Sequence, residues 1–148
     1  MMRFDLLSVE INHLFGFNVF FFKNVERGDA IFQYDLGLFY LDREDFINAK
    51  YWFEKAAEQG FVNAQTGLGN IYLVIEKNYM KAKQFFRKAA EQGEKCAQFN
   101  LGDMYSSVYK EYKEAEKWYR KAAAQNDMDA ERCLIEITEL RARNLIKE

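Results

Sequence analysis

His13, Cys96 and Cys133 are the side chains most able to act as a base, a nucleophile or a soft metal ligand. A reactive thiol needs a neighbouring base or positive field to hold it as thiolate. His13 is the only histidine, and nothing in the sequence links it to either cysteine. The cysteines stand 37 residues apart, with no Cys-x-x-Cys pair and no nearby histidine, so zinc-ligand spacing is missing. Two thiols fall short of a disulfide framework, and the reading is a reduced, cytoplasmic protein. Glu136 and Glu139 could divide acid–base work between them. On an amphipathic helix such a pair reads as a solvated face. No glycine-rich phosphate loop follows a strand. The expectation is no catalysis, no cofactor and no metal.

Bulk properties narrow the partners. The chain has 148 residues, a net charge of −2 and a pI near 5.6, without the strongly basic balance of a nucleic-acid binder. Hydrophobic residues make up 49% and charged residues 30%, as in a globular protein. Proline is absent, which suits a chain made mostly of helix. Leu14–Phe22 is apolar but too short to cross a bilayer. Asp5 and Glu10 break the pattern of a secretory signal, and no small-residue cleavage site follows. Neither a membrane nor a nucleic acid is expected as partner.

The elements that would position these residues repeat. Lys-Ala-Ala-Glu-Gln-Gly occurs at Lys55–Gly60 and Lys88–Gly93, and Lys-Ala-Ala-Ala-Gln-Asn at Lys121–Asn126, each 33 residues after the last. Leu-Gly-x-x-Tyr occurs at Leu36–Tyr40, Leu68–Tyr72 and Leu101–Tyr105, spaced by 32 and then 33. Ala49, Ala82 and Ala115 form another column, as do Trp52, Phe85, Trp118 and Phe53, Phe86, Tyr119.

Each unit reads as two helices. In the second unit helix A covers roughly 64–75, with Ala64, Leu68, Ile71, Tyr72 and Ile75 on one stripe. Helix B covers roughly 79–92, with Ala82, Phe85, Phe86, Ala89 and Ala90 on one face. Gly60 and Gly93 would end helix B in the left-handed conformation, and Asn126 is the next best residue for it. Gly37, Gly69 and Gly102 each cost helix A about 1 kcal/mol. Close packing against Ala49, Ala82 and Ala115 is the expected reason. No unit can bury its own face, so the units must stack.

The run Ala64, Leu68-Gly69, Tyr72, Ala82, Phe86 and Lys88-Ala89-Ala90-Glu91-Gln92-Gly93, with Ala97 opening the next unit, resembles the Sel1-like repeat family of tetratricopeptide-like proteins. The resemblance covers about residues 30–134. It implies an all-α fold: a short right-handed α-solenoid of stacked helix pairs, with N- and C-terminal capping helices. Residues 1–28 are then a capping segment. The repeat domain spans 29–148, as units of about 29–60, 61–93 and 94–126 and a cap helix over 127–148. One departure is that the A-to-B connections, such as Leu73–Asn78, are short and lack the family's glycine. Leu7, Ile11, Leu14 and Phe15 predict an N-terminal helix over 3–15, while 16–28 has no assignment. Ala130 and Leu134 match the helix A columns, with Ile135 in place of the glycine.

The resemblance also implies that helix A lines a concave wall that binds another protein. The positions left over from the core are Ile31, Tyr34, Leu38, Leu41 and Asp42 in the first unit. The second offers Asn63, Thr66, Asn70, Leu73 and Val74; the third Cys96, Phe99, Asp103, Ser106 and Ser107. The cap offers Asp129, Arg132, Glu136, Glu139 and Leu140. Five carboxylates face one cation, Arg132, so a basic partner is expected. The reading is a monomeric, non-catalytic interaction module: an immunity or antitoxin protein covering a basic toxin, or a general adaptor, scaffold or regulatory subunit. Self-association through Phe17, Phe20, Phe21 and Phe22 is a further reading of the N-terminal segment.

Overall fold

A computed structural model of the chain describes residues 19–146. The expected helix over 3–15, His13 and Phe17 lie outside the described residues. Eight α-helices and no strand occur among them. They are α1 (Val19–Glu26), α2 (Ala30–Asp42), α3 (Phe46–Glu58), α4 (Val62–Asn70), α5 (Tyr79–Glu91), α6 (Lys95–Asp103), α7 (Tyr112–Ala123) and α8 (Met128–Ala142). The chain forms two compact units, one ending at Phe61 and one beginning at Val62.

The first unit holds α1 and the pair α2–α3. Phe21 and Val25 of α1 are buried with Leu36 and Trp52. The Phe21 and Phe32 rings meet edge to face at 5.3 Å. The aromatic segment left unassigned above thus contains a helix whose Phe21 packs on the first helix pair. Phe21 is 5% exposed and cannot serve a sticky edge.

The second unit holds the pairs α4–α5 and α6–α7 and the closing helix α8. Helix starts are set by side-chain caps: Asn78 Oδ1 accepts from Lys81 N–H at 3.1 Å, and Asp127 Oδ1 from Ala130 N–H at 3.0 Å. Helix B ends as its sequence requires: φ is +82° at Gly60, +91° at Gly93 and +61° at Asn126.

Helix A ends differently. After α4 and α6 the chain continues as one wide π-helical turn, Ile71–Ile75 and Met104–Val108. Helix A of the second repeat thus reaches Ile75, the end expected from its apolar stripe, and the connection shortens to residues 76–78. The cause is a count: Glu44, Lys77 and Lys110 hold the left-handed position after helix A, with φ of 58°, 53° and 57°. That position follows the helix A glycine by seven residues in the first unit and eight in the others. The extra residue is absorbed as a π turn, since a regular α-helix would rotate the last turn off the core.

The helix A glycines face rings, which corrects the alanine expectation. A Cβ on Gly37 would lie 2.5 Å from the Phe53 ring, on Gly69 2.5 Å from Phe86, and on Gly102 2.8 Å from Tyr119. Ala49, Ala82 and Ala115 are fully buried, but the aromatic column fills the space above the glycines. Among the described residues no helix B ring lies over α8, and Ile135, which stands in the glycine's place, is 60% exposed. Helix α8 also stops at Ala142, short of the expected 148, with Asn144 in the left-handed region at φ 55°.

Candidate functional site: the helix A wall

In the first unit, Ile31, Leu38 and Asp42 are open to solvent. Tyr34 is half-buried, its ring 5.5 Å from Phe53 and 5.2 Å from Phe61. It contributes to packing more than to a free face.

The second unit brings its helix A positions together more fully. Asn63, Asn70, Asp103, Asp129, Arg132, Glu136 and Glu139 are exposed, and Leu73, Phe99 and Ser106 half-buried. Asn100 Nδ2 donates to Asn70 Oδ1 at 3.3 Å, which joins α4 to α6 along the wall. Arg132 pairs with Asp129 one turn away. That leaves Asp103, Glu136 and Glu139 without an ion pair among the described residues.

Thr66 is a correction. It is 8% exposed, and its hydroxyl donates to Glu94 Oε2 at 2.9 Å. Glu94 in turn caps α6 by accepting from Cys96 N–H at 3.0 Å. Thr66 ties α4 to the start of α6 and offers nothing to a partner. Phe99, at the matching position of the next unit, packs 5.7 Å from Tyr119. Arg132, at the matching position of α8, is open.

Three side chains beside the wall were not among its expected positions. Asn100 and Cys133 occupy one column, half-buried beside the wall. Tyr119 is the only member of its aromatic column with a hydroxyl, which is hydrogen-bonded with Ser106 and Cys133. Burial, with the Cys133 and Asp103 side chains nearby, pushes the Tyr119 phenol far up. Burial also pushes the Cys133 thiol up, and the Cys96 thiol likewise, with Glu94 adding to the latter. Both thiols stay protonated near neutral pH and are poor nucleophiles. No cluster of three or more His, Cys, Asp or Glu side chains suited to a metal occurs among the described residues. No described helix is long and apolar enough to cross a membrane.

A second polar column was also missed. Gln33, Gln65 and Gln98 of helix A are buried at 5–6% exposure. Gln59, Gln92 and Gln125, at the ends of the helices B, donate to them at 2.9, 2.9 and 2.8 Å. Gln59 also donates to Gly28 O at 2.7 Å and Gln125 to Gly93 O at 3.0 Å. The glutamine in Lys-Ala-Ala-Glu-Gln-Gly therefore fastens the end of helix B to helix A of its own pair.

Paired helices with a small-residue contact under a ring, repeated at about 33 residues, define an α-solenoid class of interaction protein. Three Sel1 repeats match at residues 30–61, 62–94 and 97–127, and the chain belongs to the Sel1 repeat family. It is similar to a protective antigen of uropathogenic Escherichia coli strains displaying an SLR fold, at 33% identity and TM-score 0.74. That match covers 88% of this chain and 30% of the antigen, so the chain spans under a third of that protein's length. It is also similar to a Sel1 repeat protein from Oxalobacter formigenes, at 32% identity and TM-score 0.68, covering 78% of this chain and 95% of the other. An immunity protein from Pseudomonas aeruginosa shares the fold at 24% identity and TM-score 0.50, covering 74% and 56%. Among curated proteins none matches the chain. Sel1 repeats generally mediate protein–protein interaction and are typically non-catalytic.

Proposed function

We propose that the chain binds a basic protein on the helix A wall of its second unit and catalyses no reaction. The observation that carries this is Asp103, Glu136 and Glu139, exposed on one row of helices and without an ion pair among the described residues. Charges left without internal partners raise the local concentration of an oppositely charged ligand and steer it in. The bonded pair Asn70–Asn100 and the half-buried Phe99 add hydrogen-bonding and apolar contact beside the charge. Within this reading an immunity role, in which the wall covers a basic toxin, suits a small acidic chain in a reduced compartment. The general adaptor is the broader alternative. The likeness to an immunity protein carries the fold alone, and the immunity reading rests on the wall's charge.

The test is affinity capture from the native cell with the wild-type chain and with Asn70→Ala/Asp103→Lys, read by mass spectrometry. A basic protein retained by the first and lost by the second is the expected result. Equal retention by both would contradict the wall as the binding surface.

A further inference from the structure

The opposite row of helices in the second unit carries the opposite charge. Helices α5 and α7 hold eight Lys and Arg residues against three Glu. Two of those Glu are already used: Glu114 pairs with Lys117, and buried Glu116 is held between Arg120 and Arg141. Lys81, Lys83, Arg87, Lys88, Lys113 and Lys121 have no carboxylate within ion-pair distance among the described residues. Most of them rest on aromatic side chains instead. Lys83 lies 4.0 Å from the Tyr109 ring centre, Lys121 4.0 Å from Trp118 and Lys81 4.9 Å from Tyr72. Arg87 bonds to the Tyr105 hydroxyl. Rings hold these cations in place without neutralising them, so the entropy of ordering long side chains is largely spent before any partner arrives.

We propose that in solution the basic α5–α7 row of one copy docks on the acidic helix A wall of a second copy, so that self-association and the basic partner compete for one surface. The proposal rests on reading that wall as a binding surface. The second copy is favoured as occupant because both halves of the charge match stand on this chain. Asp103, Glu136 and Glu139 on one row have no ion pair among the described residues, nor do Lys81 and Lys113 on the other. A single-stranded nucleic acid is disfavoured, since its bases need open rings and these rings are covered by lysines. Two different faces meeting make a head-to-tail contact, which continues from copy to copy and grows with concentration.

Sedimentation velocity of the full chain tests this. At about 0.02 M salt the mean mass should rise with concentration above the 17.6 kDa of one chain, and at about 0.5 M, where charges are screened within a few ångströms, it should return to that value. Lys81→Glu/Lys113→Glu reverses the basic row. Both sites lie in first helical turns, where an acidic residue suits the helix dipole, so folding is preserved. Glu136→Lys/Glu139→Lys reverses the acidic row on α8. Each variant alone should stay single, and an equimolar mixture should associate again, since each supplies the intact face the other lacks and the two reversed faces are opposite in charge. A wild-type chain that stays single at low salt, or association that survives both reversals, would overturn the proposal. So would a mixture that fails to pair. If the chain stays single yet the wild-type wall still binds oligolysine, only self-association fails and the protein-binding reading stands.

Discussion

Gly69 and Phe86 share a space with no room for one more methyl group, since a Cβ there would sit 2.5 Å from the ring. Gly69→Ala gains about 1 kcal/mol of helix propensity. It forces the ring or the helices apart, at a larger cost of about 2–3 kcal/mol. Urea denaturation should therefore show a less stable variant, and a more stable one would contradict the packing described. The glycine columns and their periodicity were plain in the sequence. Their partner was not, because a ring above a glycine and an alanine beside it leave the same trace in a repeat. Tyr119 carries a second residue-scale prediction. Burial raises its phenol above the ordinary value of 10.0, so the folded chain favours the neutral form. Stability from that neutral phenol is complete below the unfolded value near pH 10 and is lost as pH rises above it. Tyr119→Phe should cost about 1 kcal/mol at neutral pH through its lost hydrogen bonds. It should also flatten the loss of stability above about pH 10. Denaturation curves at neutral and alkaline pH check both parts, and an unchanged alkaline slope would count against the assignment.

Each helix B is fastened at its end by a glutamine reaching into its own pair. Gln125→Ala would leave the buried Gln98 oxygen without its 2.8 Å donor. An unsatisfied buried acceptor costs about 1–3 kcal/mol. Exposed Gln84→Ala should change stability little, and thermal melts of the two variants separate the effects. The repeat motif exposed one half of this pair. Gln33, Gln65 and Gln98 stand in a column as regular as any other, but a polar residue in an amphipathic pattern reads as surface, and burial by hydrogen bonding has no periodicity of its own. The same limit hid Thr66, whose hydroxyl is consumed by the capping residue Glu94. Helix boundaries were more legible where backbone chemistry fixes them, at Gly60, Gly93 and Asn126. At the other end of helix A, Lys77 and Lys110 take the left-handed turn without glycine, and nothing in those residue types announces it. The π turns were foreshadowed by the change of spacing from 32 to 33, a clue that becomes readable only against the first unit's shorter helix A.

For the whole molecule, the family and its helix pairs followed from aligned columns, whereas the wall followed only in part. Leu38, Asn70, Asp103 and Glu136, which form one column, are open, as is Arg132 on the last described helix. Earlier members of Arg132's column, Tyr34, Thr66 and Phe99, are partly or wholly taken up in packing. The proposed binding surface is weighted toward the C-terminal half of the second unit, where Asp103, Glu136 and Glu139 have no ion pair among the described residues. The direct measurement is calorimetric titration of a short oligolysine into three forms of the chain at low salt: wild type, Glu136→Lys/Glu139→Lys on the wall, and Glu91→Lys/Glu114→Lys on the helix B row, a reversal of the same size. The account predicts that the wall variant loses affinity by about tenfold or more, the scale of two removed charge contacts, while the helix B variant keeps it within about twofold. Equal losses in both variants would contradict it.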